Sequence, residues 1–175
     1  MKFHDAVTLI NHTGIISDHN TTWADLGCGN GLFSKALASL LLPSSTVYAI
    51  DKIPGIRDNI TENGVNILAK QKDFTQDELD VPPLDGILMA NSIHYVQHKS
   101  SFINQIRMKL KPAGKFIIVE YNSDRSNHWV PYPMPFSAVS PLFAKAGFNR
   151  IELINKIPSV YRDTDIFGCI ITRGR

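Results

Sequence analysis

Five short runs along the chain are rich in β-branched and aromatic residues, at positions 22–26, 46–50, 65–68, 84–89 and 115–120, and each reads as a strand. They are apolar on both faces, the mark of central strands in a sheet covered on both sides. Helical periodicity lies between them. Leu32, Phe33, Ala36, Leu37, Leu40 and Leu41 recur three or four residues apart until Pro43 ends the run. Phe102, Ile103, Ile106 and Leu110 repeat the pattern, closing on Lys109, Lys111 and the breakers Pro112-Ala113-Gly114. Strand alternating with helix predicts a parallel sheet. The rhythm changes after the fifth strand. A loop over 122–135 precedes a helix at 137–146, and strands at 150–157 and 165–172 then face each other across a short polar connection. That pair is expected to form an antiparallel hairpin. With a helix at 4–13, the reading is α/β, doubly wound: seven strands, mostly parallel, helices on both faces.

The length of 175 residues suits one domain over 1–175 and can bury a sizeable core. Eighteen Lys and Arg balance 16 Asp and Glu, so the net charge of +2 argues against unaided nucleic-acid binding. Cys28 and Cys169 cannot build a disulfide framework or a zinc site, and no metal is expected. Met1 to Asp5 lacks an apolar signal core, and no apolar stretch reaches the roughly 18–20 residues that span a bilayer. A cytoplasmic protein without membrane partners is the expectation.

The most informative stretch is Asp25-Leu26-Gly27-Cys28-Gly29-Asn30-Gly31, at the end of the first strand. Glycines belong where the backbone takes positive φ or approaches a ligand too closely for a Cβ, and a helix N-terminus beyond them offers N–H groups. The dinucleotide pattern G-x-G-x-x-G fails at Leu32, which also disfavours a nicotinamide oxidoreductase, and no Gly-Lys-Ser/Thr completes a P-loop. Taken alone, G-x-G-x-G is also explained by a tight strand-to-helix turn. The second strand ends in Asp51, 20 residues beyond Gly31, and a carboxylate there can accept two hydrogen bonds from a vicinal diol.

Together these residues resemble the class I methyltransferases, which use S-adenosylmethionine. The resemblance runs from about Thr22 to Thr172 and implies the sheet order 3-2-1-4-5-7-6. It implies that Asp25, Gly27, Cys28, Gly29 and Gly31 wrap the methionine part of the cofactor. Asp51 then binds the ribose hydroxyls, with Lys52 beside it. Asp73 accepts from the adenine amino group and Phe74 packs on the ring, although alone these two also read as a turn carboxylate beside a core aromatic. Asn91, at the turn after the fourth strand, borders cofactor and acceptor. The segment 109–115 resembles the family's L-x-P-G-G turn, with Ala113 replacing its first glycine.

His94, following the fourth strand, is the best-placed general base, against the alternative of a cap or core-edge histidine. The 122–136 loop carries Trp129, Tyr132 and Phe136 among three prolines, and with Tyr95 and Tyr121 it either walls an acceptor or covers the sheet edge. Arg125 and Arg162 are candidate ligands for an acidic group. The signature Asn/Asp-Pro-Pro-Tyr/Phe is absent after the fourth strand; Pro82-Pro83 precedes it. A small-molecule acceptor is the expectation. An RNA or protein methyltransferase with a partner subunit and a non-catalytic cofactor-binding module stay open as alternatives.

Overall fold

The computed structural model describes residues 1–160 and 163–174. Helix α1 covers Phe3–Ile10, β1 Thr22–Leu26, α2 Leu32–Ala38, β2 Thr46–Asp51 and β3 Asn59–Ile60. Then come β4 at Asn66–Gln71, β5 at Leu84–Ala90, α3 at Lys99–Ile106, β6 at Leu110–Tyr121, α4 at Phe136–Ala144, β7 at Arg150–Pro158 and β8 at Asp165–Thr172. The sheet order is β3-β4-β2-β1-β5-β6-β8-β7. Without β3 this is the expected order, with β8 antiparallel to both β6 and β7. The eighth strand is a two-residue edge piece antiparallel to β4, too short to leave a periodic signal.

Strict alternation along the central strands divides the core in two. Trp23, Val47, Ala49, Leu88, Ile117, Val119 and Ile170 pack with α1 and α2. Ala24, Ile50, Ile87, Met89, Phe116, Ile118 and Phe167 pack with α3 and α4. Side chains two apart share a face, so each strand feeds both cores, which is why its sequence reads apolar throughout.

Element ends shift from the expected positions for local reasons. The first helix stops at Ile10, and Thr13–Ile15 form a separate turn capped by the His12 ring, whose Nδ1 accepts from the Gly14 N–H. The fifth parallel strand starts at Leu110 rather than 115, because Leu110 pairs with Leu84 before Lys111 to Gly114 loop out of register. Gly168 lets α1 lie directly on β8: a Cβ there would stand 1.8 Å from the Leu9 carbonyl oxygen. Among the described residues, no helix is long and apolar enough to cross a membrane.

Candidate active site

The carboxyl ends of β1, β2, β4 and β5 converge on one edge of the sheet, where strand order reverses around β1. The turn after β1 takes left-handed backbone at Gly27 (φ 81°), Gly29 (φ 51°) and Gly31 (φ 78°), a region that costs an L-residue about 1–2 kcal/mol. The three glycines answer different needs. A Cβ on Gly27 would meet Ser92, and one on Gly31 would meet Ile56, whereas nothing lies within 4 Å of that position on Gly29. Gly29 therefore leaves open space above the loop. Helix α2 starts at once, and its first N–H, that of Leu32, donates to Asn30 Oδ1 at 3.2 Å.

Asp51 closes the other side. Its Oδ2 accepts from the Gly29 N–H at 2.9 Å and its Oδ1 from the Ile53 N–H at 3.0 Å. Each oxygen keeps a second lone pair. Asp51, Gly27, Lys52 and Phe74 line a cavity of about 420 Å³ with Thr75, Ser92 and Tyr95. Sequence reasoning missed Thr75 and Ser92. Ser92 donates to the Leu26 carbonyl at 2.6 Å, tying the turn after β5 to β1, and both missed residues directly follow ones that were named.

Asp25 does not line this cavity. It is fully buried behind the loop, where Oδ2 accepts from Ser34 Oγ at 2.6 Å and Oδ1 has no partner. Burial pushes its carboxyl up to about 7, the Ser34 hydrogen bond opposing and the charge on Asp51 adding. Between about pH 4 and 7 the folded protein thus holds a proton that the unfolded chain has lost, so this group's contribution falls as pH rises through that window, by on the order of 4 kcal/mol. Asp25→Asn keeps an acceptor for Ser34 and is expected to remove that slope. Urea unfolding of both proteins at several pH values measures it; parallel curves would contradict the assignment.

Cys28 is buried in the same loop, and burial, with the charges on Asp25 and Asp51, pushes its thiol up to about 12. It is no nucleophile at neutral pH. Asp73 stands just outside the cavity. Its Oδ1 accepts from the Thr75 N–H and hydroxyl and its Oδ2 pairs with Lys52 at 2.9 Å. Partial burial works against ionisation of Asp73, but the Thr75 and Lys52 contacts prevail and hold its pKa low, while Asp73 raises that of Lys52.

Asn91 adopts a left-handed backbone (φ 51°) unusual for a side-chain-bearing residue, and its Oδ1 is buried with no partner. It lines a smaller cavity of about 100 Å³ with Asp5, Tyr121, Ile157, Pro158 and Ile166. A third cavity, of about 350 Å³, shares Thr75 and Tyr95 with the first and is walled by Phe102 and Tyr132 among neutral polar groups such as Gln97 and Gln105. Tyr95 and Tyr132 are thus brought together and Tyr121 faces the smaller space. Trp129 is 74% exposed, packs edge-on against His128 and lies outside all three. Arg125 lines a separate cleft with Asp124 and Thr164; Arg162 lies outside the described residues.

His94 is 3% exposed, and its Nδ1 lies 2.8 Å from Oε2 of Glu120, a residue with no exposed surface. Its ring packs on Tyr95 at 4.4 Å between centroids and faces Tyr121 at 6.5 Å. It therefore stands between the residues that line the largest and smallest of these cavities. Glu120 closes an apolar strand and gave no signal of its own in the sequence. Among the described residues, no cluster of His, Cys, Asp and Glu is suited to a metal.

A family model described as "Methyltransferase domain" matches residues 17–146. No curated protein matches the sequence. Among solved structures, 1,6-didemethyltoxoflavin-N1-methyltransferase of Burkholderia thailandensis superposes with a TM-score of 0.73 at 16% identity, covering 99% of this chain and 78% of that one. Human N-acetylserotonin methyltransferase gives 0.66 at 18% identity, over 99% of this chain and 52% of its own. A SAM-dependent methyltransferase of Methanosarcina mazei gives 0.67 at 15% identity, over 94% and 99%. At such identities the likeness is one of fold, and it is the matched domain, which covers most of the chain, that places this protein in the methyltransferase domain family.

Proposed function

We propose that the protein transfers a methyl group from S-adenosylmethionine to a small-molecule acceptor. The observation that carries this reading is the Asp51 carboxylate, fixed by the Gly29 N–H at the mouth of the 420 Å³ cavity with lone pairs to spare. The residues present fit the cofactor. Open space over Gly29 suits the methionine chain. Asp51 would hold the ribose hydroxyls, Phe74 the adenine face, and Gly27, Gly29 and Gly31 the loop around the methionine moiety, with Cys28 buried beneath. Asp73 reaches an adenine amino group only through a lone pair not used by Thr75 or Lys52. When bound, the cofactor supplies an electrophilic methyl group.

The chain's own residues supply alignment and proton acceptance. His94, between Tyr95 and Tyr121, is the base. Tyr95 and Tyr132 offer an acceptor aromatic walls beside neutral hydrogen-bonding groups, and two of the similar structures are named as acting on small ring compounds. Trp129, exposed and apart, adds only a rim.

Release of S-adenosylhomocysteine with a panel of small aromatic alcohols and amines tests the reading. Turnover with at least one acceptor is expected, falling about 100-fold or more in His94→Ala. Turnover only with RNA or protein would replace the acceptor class.

A further inference from the structure

The 350 Å³ cavity differs from its neighbours in charge: none of the residues that line it is Lys, Arg, Asp or Glu. The cavity at Asp51, joined to it through Thr75 and Tyr95, presents both Asp51 and Lys52. A cleft that shares Gln76 and Gln105 with it carries Asp77, Glu78 and Lys109. The neutral lining is therefore local to this one space.

One cation lies close, and it is bound to the wall. Lys99 Nζ donates to the Val96 carbonyl at 2.9 Å and to the Tyr132 carbonyl at 2.6 Å, and it stands 5.7 Å from the centre of the Tyr132 ring. Tyr132 also donates its backbone N–H to the His94 carbonyl at 3.0 Å. Lys99 thus fastens the 122–135 loop to the turn after β5, and two of its three N–H donors are committed in doing so.

The rest of the lining combines flat apolar surface with uncommitted amides. Phe102 and Val96 are buried, and the Tyr95 and Tyr132 rings are 51% and 38% exposed. Gln97 and Gln105 are exposed, and among the described residues their side-chain amides have no hydrogen-bond partner. Each amide can both donate and accept. An ion entering such a site gives up water without meeting an opposite charge, whereas a neutral polar group exchanges water for the amides at little cost.

We propose that this cavity selects an uncharged planar ring whose edge both donates and accepts hydrogen bonds, so that the methyl acceptor is a neutral heteroaromatic or amide-bearing compound rather than a carboxylate or an ammonium. Its identity as the acceptor rests on the methyltransferase reading above; the selection itself does not.

Benzamide, benzoate and benzamidinium share one planar shape and differ in charge, so they isolate the selection. Each is titrated into ¹⁵N-labelled protein at about pH 8, where an imidazole is ordinarily uncharged, because His98 is in the lining. The readout is the side-chain amide signals of Gln97 and Gln105, identified by their loss in Gln97→Glu and Gln105→Glu. Benzamide is expected to shift both in the millimolar range, with each charged probe at least about tenfold weaker. The N-terminal end of α3 also borders the cavity and favours anions, which makes benzoate the stringent arm. In Gln105→Glu, read at Gln97, the preference is expected to move to benzamidinium. Saturating S-adenosylhomocysteine is expected to leave benzamide binding in place. No benzamide shift at either signal, a charged probe binding as well as benzamide to the wild type, or displacement of benzamide by S-adenosylhomocysteine would overturn the proposal. Failure of the wild type to bind S-adenosylhomocysteine would instead overturn the methyltransferase reading, since the three probes are compared without it.

Discussion

Asp51→Ala is expected to weaken S-adenosylhomocysteine binding by about 100-fold or more, with little change in thermal stability. Two hydrogen bonds from ribose hydroxyls to a carboxylate are worth about 1.5–3 kcal/mol each, and losing both costs two or more decades of affinity. The same substitution frees the Gly29 and Ile53 N–H groups that now donate to Asp51. Both lie at the exposed mouth, where water replaces the lost acceptor at small cost to the fold. Asp51→Asn retains acceptor capacity on one oxygen and should fall between the two. Isothermal calorimetry on the three proteins checks the order. Equal affinities would mean that the cavity beside Asp51 is not where the ribose sits.

The second large effect concerns the scaffold. Gly168→Ala puts a methyl group where the Leu9 carbonyl oxygen is 1.8 Å away, and neither the Cβ, fixed on its Cα, nor the helical carbonyl can swing aside. Helix α1 must lift off β8, opening the core that Leu9 and Ile10 share with Ile170. Overpacking against backbone of this kind costs about 3 kcal/mol, which for a chain of this size lowers Tm by about 6–12 °C. Gly147→Ala is the control. Its backbone is left-handed (φ 83°), unlike that of the strand residue Gly168, and a Cβ there has nothing within 4 Å, so it carries only the conformational cost of about 1–2 kcal/mol. Calorimetric melting of the two variants separates steric from conformational cost; a Gly168→Ala protein as stable as Gly147→Ala would show that α1 does not seat as described.

Much of the fold was legible because it depends on local pattern. The central strands announce themselves by being apolar on both faces, and Gly27, Gly29 and Gly31 by needing backbone that few other residues adopt. The β3 edge strand was not legible, since two exposed residues carry no period. Within the site, Asp51 and Phe74 could be placed because one ends a strand and the other closely follows one. Asp25 shows the limit of such reading: its position in the motif is clear, but only the packed structure reveals that it serves Ser34 from inside the core. The His94 to Glu120 contact joins residues 26 apart, and no spacing rule connects them. The outward placement of Trp129 was not legible for a related reason, because loop geometry decides whether an aromatic faces a cavity or solvent.

The central claim is that the cavity bounded by the glycine loop and Asp51 holds S-adenosylmethionine. Calorimetric titration of the wild-type protein with S-adenosylhomocysteine tests it most directly. One equivalent binding in the micromolar range is predicted. A folded protein that takes up none of it would contradict the account.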